Sequence, residues 1–123
     1  MSIRELPFFA TWKSMKAFKR TGKVEVHSPS KFYEYIFEED RTLKIHSVSE
    51  GKKKLLATSD KWKVELQNKR HILTIPEMRA QLEVITINHT VMVLLDLSSD
   101  EKIFFTKDTY WEAALQNTQQ ISM

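Results

Sequence analysis

Short segments that alternate apolar and polar residues, cut by polar turns, constrain this chain more than any other feature. The cleanest is Lys-Trp-Lys-Val-Glu-Leu at 61–66, with Trp62, Val64 and Leu66 against Lys61, Lys63 and Glu65. A period of two suits a strand that buries one face, and cannot bury one face of a helix. The same pattern runs through 31–38, where Tyr33, Tyr35 and Phe37 alternate with Phe32, Glu34, Ile36 and Glu38, and through 42–48, where Leu43 and Ile45 oppose Lys44 and His46. Residues 11–18, 71–75, 82–87, 91–97 and 102–107 also read as strands, and Pro76 closes the 71–75 strand because proline cannot donate to a ladder.

The turns between the later strands are of hairpin length, too short for a parallel crossover of a dozen or more residues. An antiparallel up-and-down sheet of about eight strands follows, and such a sheet hides its edges by closing into a barrel or splitting into a sandwich. Two connections are longer. Residues 19–30 contain Val24-Glu25-Val26, which can extend a strand. Residues 49–60 carry Gly51, suited to a positive φ, and Lys52, Lys53 and Lys54, so this hairpin is expected to be a mobile gate.

The period changes once. Thr109 and Glu112 have capping-box spacing, and Trp111, Ala114 and Leu115 form one apolar stripe, so a short helix is expected over about 109–117, with a polar tail that frays. So short a helix must dock on the barrel wall, across a mouth or on a second copy. The wall is favoured, which leaves the chain a monomer or weak homodimer.

The 123 residues suit one domain spanning 1–123, with the barrel over about 8–107. No apolar run approaches the ~20 residues of a membrane helix, and the first residues lack the apolar core of a secretion signal. The expected location is cytoplasmic. The absence of cysteine excludes disulfide stapling, thiolate metal sites and cysteine nucleophiles. The four histidines, His27, His46, His71 and His89, lack metal-ligand spacing, and His46 should face water. There is no phosphate loop, nucleophile elbow or carboxylate pair in an apolar setting. The chain therefore reads as a non-enzyme without metal or cofactor.

Ala10-Thr11-Trp12-Lys13, the stretch Phe37 to Ile45 (FEEDRTLKI), Trp62-Lys63-Val64, Leu73-x-Ile75 and Ile103 to Lys107 (IFFTK) together resemble the lipocalin-like, calycin-type barrels. Ala10 and Arg41 stand where that family has glycine, and Lys107 where it has arginine. The resemblance implies a barrel base with Lys107 packed over Trp12, and an interior that binds one small hydrophobic or aromatic molecule. The candidate lining is Tyr33, Tyr35, Phe37, Ile45, Trp62, Val64, Leu73 and Phe105. These side chains either line a pocket or fill the interior, since about eight strands enclose little more than their own side chains. A filled barrel would make the chain a protein–protein interaction or structural module. Single-stranded nucleic acid is a further alternative, suggested by Lys13, Lys16, Lys19, Arg20 and Lys23 near the first strand, but disfavoured because the aromatics read as interior and the net charge is only +3.

Overall fold

A computed structural model describes residues 8–121, with side chains described to residue 116. The reading of the first seven residues as free of a secretion signal lies outside the described residues, as does the end of the tail. The strands are β1 (Thr11–Phe18), β2 (Val24–Val26), β3 (Lys31–Phe37), β4 (Leu43–Ser49), β5 (Lys52–Ser59), β6 (Lys63–Gln67), β7 (Arg70–Ile75), β8 (Ala80–Ile87), β9 (Val91–Asp96) and β10 (Glu101–Lys107). A 3-10 turn at Pro76–Met78 follows β7, and helix α1 spans Asp108–Ile121.

Every pairing is antiparallel, and the sheet runs β5-β4-β3-β1-β10-β9-β8-β7-β6, with β2 pairing β1 beyond the end of β3. This is a curled half-barrel of nine strands, not the closed eight-stranded barrel expected from the alternation. With β2 the strands number ten, and two of them are not among the eight expected. The first is β2, only three residues long. The second is β5, whose Lys52-Lys53-Lys54 start obscures the period; it pairs with β4 from Ser49↔Lys52 to Leu43↔Ser59, so the segment is a sheet strand and not the loose hairpin that the lysines suggest.

The two terminal strands, β5 and β6, follow one another in the chain yet do not pair. Trp62 sits between them, fully buried. Its indole Nε1 donates to the Arg41 carbonyl at 3.0 Å, while the Arg41 guanidinium lies 4.7 Å from the Trp62 ring and donates to its carbonyl at 3.1 Å. These bonds tie the connector to the turn before β4, and both free edges carry lysine, a residue that discourages edge pairing.

The main core lies on the concave face and contains Phe8, Trp12, Tyr35, Phe37, Leu43, Trp62 and Phe105 among others. A second, small cluster joins α1 to the convex face, where Trp111 and Leu115 pack with Phe32, Val48 and Met15. The Phe32 and Trp111 rings lie 4.4 Å apart, and Trp111 Nε1 donates to the Ser14 carbonyl at 3.0 Å. Lys13 Nζ sits 4.9 Å from the Trp111 ring and 2.7 Å from Asp108. The helix thus docks on the outer wall. It starts at Asp108, one residue before Thr109, so Thr109 lies within the first turn instead of capping it, and Asp108 places a carboxylate near the positive end of the helix dipole.

Candidate functional site

Most of the interior set is brought together on the concave face. Phe37, Ile45, Trp62, Leu73 and Phe105 are fully buried, Tyr35 nearly so and Val64 in part. Their rings touch: Phe37 lies 5.0 Å from Trp62 and 5.3 Å from Phe8, and Tyr35 lies 4.8 Å from Phe105. Separations of this size are direct aromatic packing. Tyr33 is the exception at 36% exposure, because it lies past the packed layer, with its ring 5.9 Å from that of His27. Two clefts open elsewhere, one of about 390 Å³ lined by Gln67, Asn68, Arg70, Ile72 and Leu97, the other of about 250 Å³ lined by Pro29, Glu112, Leu115 and Gln116. Neither includes a residue of the interior set.

Trp12 is fully buried opposite Lys107 in the β1–β10 ladder, and Lys107 Nζ stands 5.7 Å from its ring. The indole donates to the Phe8 carbonyl at 3.0 Å. Arg41, where the resembled family has glycine, adopts a left-handed backbone with φ of 72°. Its reciprocal bonds with Trp62 hold that conformation, which is costly for a residue with a side chain.

Beside Tyr33 runs a polar chain that the alternation does not announce. Ser14 Oγ lies 2.6 Å from His27 Nδ1 and accepts the Tyr33 amide at 2.8 Å; His27 Nε2 lies 3.3 Å from Glu25, and Lys19 bridges Glu25 and Glu101. Glu25 and His27 are two residues apart, the spacing of one strand face. Ser14, Lys19 and Glu101 arrive only through the pairing of β1 with β2 and β10, which no local pattern reveals. His27 is buried, and burial pushes its pKa down while the Glu25 charge works against that shift. Lys19 is raised by its bond to Glu101. Burial, and then the charge of Asp96, pushes the Tyr35 hydroxyl well above its usual range, with Tyr33 and Glu101 adding to it. Asp96 and Glu101 stand opposite one another in the β9–β10 ladder, and Lys19 links Glu101 to Glu25, which gathers these groups at one polar end of the concave face.

Ser14, His27 and Glu25 are the residue types of a nucleophile relay, but Ser14 is fully buried and its Oγ already accepts the Tyr33 amide. No acyl group can reach it, so the string braces the fold. His46 also departs from expectation. It is half-buried on the convex face, 3.5 Å from the buried Glu34 carboxylate, which Lys53 approaches to 3.0 Å. Among the described residues no three His, Asp or Glu side chains converge to hold a metal ion, and no helix is long and apolar enough to cross a membrane.

No family model, curated protein or solved structure matches the chain.

Proposed function

We propose that the chain binds a small apolar or aromatic molecule, in the manner of the lipocalin-like barrels that its Trp12 and Phe37–Ile45 motifs resemble, but at the polar end of the concave face and not deep inside. The observation that carries this reading is Tyr33, the exposed member of an otherwise packed aromatic set, beside the His27–Glu25–Lys19–Glu101 chain. An exposed ring offers a stacking face, and fixed polar groups orient a ligand. Glu25, Glu101 and Asp96 stand there with Lys19, and the Lys31 charge also acts on Glu25, so this end carries both signs and suits a ligand with a polar or charged group beside its apolar body. A cytoplasmic site of action suits a fold that needs no oxidising compartment.

Native mass spectrometry of the protein from its own host tests the reading. A bound small molecule should copurify and be lost from Tyr33→Ala, with the melting temperature of the apo protein nearly unchanged. An unliganded protein, whose melting temperature neither tryptamine nor a medium-chain fatty acid raises, overturns it. A second reading, an interaction or structural module without a ligand, is favoured by the ring-to-ring packing of Phe8, Phe37 and Trp62, which leaves the interior to side chains.

A further inference from the structure

The charges of this chain nearly cancel in sum, nineteen basic against sixteen acidic residues, but not by face. Strand register separates them. Glu25 stands opposite the buried Ala17, Asp96 opposite the buried Leu82, and Glu101 opposite Asp96, so these three carboxylates share the concave side with the core. On the convex side Lys16 lies between Val26 and Phe104, and Lys102 between Phe18 and Leu95. Across β2, β1, β10 and β9 the paired residues of the convex face include no carboxylate. The flanking strands bring the next ones, Glu34 on β3, opposite Lys13 and 3.0 Å from Lys53, and Glu83 on β8, 3.7 Å from Arg70.

Arg20, in the exposed turn joining β1 to β2, lies at the end of the basic strip, whereas Lys23 accepts the Lys19 amide through its carbonyl at 2.8 Å and so alternates to the other face. None of Lys16, Arg20 and Lys102 has a carboxylate partner among the described residues. Between these cations sits a pair of half-buried rings. Phe18 and Phe104 meet edge to face at 5.4 Å, with Lys16 Nζ 5.7 Å and 5.1 Å from the two centroids. Val24 and Val26 beside them are 44% and 55% exposed, so the strip is uncovered on that side, whereas α1 covers Phe32 and Val48.

We propose that this convex strip docks single-stranded nucleic acid: Lys16, Arg20 and Lys102 track phosphates, and Phe18 and Phe104 take bases once Lys16 swings from the rings to the backbone. Charge complementarity requires a polyanion, and the central phenyl pair favours one with planar faces to stack. A duplex keeps its bases stacked on one another and cannot use the rings. The strip and Tyr33 lie on opposite faces of the sheet, so either can fail without the other.

Fluorescence anisotropy with labelled oligothymidylate and oligouridylate on the intact chain tests the proposal. Each phosphate neutralised on a single strand contributes about −0.7 to the slope of log K against log salt, so the three cations give about −2. Lys16→Gln with Lys102→Gln should flatten that slope by about 1.4. Phe104→Ala should weaken oligonucleotide binding at least about fivefold and leave binding of polyglutamate unchanged. Phe18→Ala, at the strand end, serves as a second ring variant should Phe104→Ala unfold, as circular dichroism will show. The proposal is overturned by no binding at low salt, by a preference for duplex, or by polyglutamate binding as tightly as the strands with both ring variants inert. The last outcome assigns the strip to an acidic protein.

Discussion

His27 couples the polar chain to stability through its protonation. Burial holds its pKa below the 6.5 of the unfolded chain, against the pull of Glu25, so the fold carries a neutral imidazole. A group whose folded pKa is depressed lets the unfolded state take the proton first as pH falls. Its contribution is therefore complete above about pH 6.5 and drains below that, towards the folded value. The melting temperature should drop between about pH 7.5 and 5.5, and His27→Gln should flatten that drop while lowering stability at pH 7.5 by about 1–3 kcal/mol, because Ser14 loses its buried partner. Burial raises the Glu25 pKa, but Lys19 and His27 outweigh it and leave the carboxyl below 4.5, so its loss comes at lower pH and the two windows separate. A parent curve flat from about pH 7.5 to 5.5 would show that the folded state does not discriminate against the imidazolium. At this scale the sequence is readable where a residue acts through its neighbours in the chain: Gly51 takes the positive φ of 76° that its turn demands. Residues that act through register, such as Ser14 and Glu101, are not.

Single elements show the same divide. The 3.6 period after Lys107 announces a helix. In its outer-wall dock, beside the packing of Leu115 and the Lys13–Asp108 pair, Trp111 supplies a hydrogen bond to Ser14 and a ring contact to Phe32. Trp111→Ala removes both and exposes the Ser14 carbonyl. It should cost about 3–5 kcal/mol and lower the melting temperature with no change in size by gel filtration. A shift to a smaller species would instead place Trp111 between two copies. For β5 the sequence misleads, because three consecutive lysines look like a loop tip while the strand is held by seven register pairs to β4. Only one edge is paired, though, and alternate amides face the open side. Hydrogen exchange over Lys52–Ser59 should therefore alternate, with amides bonded to β4 slow and their neighbours fast. Uniformly fast exchange would restore the picture of a mobile gate, and uniform protection would mean that something covers the edge.

At the scale of the whole molecule, antiparallel topology was legible from turn lengths and the all-β class from alternation, because both are local. Closure was not. Whether the last strands meet depends on how far nine strands curl and on what stands between the ends, and here that is Trp62 bonded to Arg41 across the β5–β6 connector. An open sheet keeps two unsatisfied edges, and an unprotected edge recruits other edges. Lys53 is engaged with Glu34, which leaves Lys52 and Lys54 as the charges guarding the β5 edge, both exposed and without carboxylate partners among the described residues. Lys52→Thr with Lys54→Thr keeps strand propensity and removes that guard. The double variant should self-associate in sedimentation velocity at concentrations where the parent runs as a monomer, and the association should slow β5 exchange but not exchange in α1. High salt should push the parent the same way, since it screens lysines on facing edges. If the variant stays monomeric and its β5 amides keep the parent pattern, charge is not what guards the edge. Its protection would then come from the twist of the sheet, which carries β5 and β6 out of reach of a flat partner.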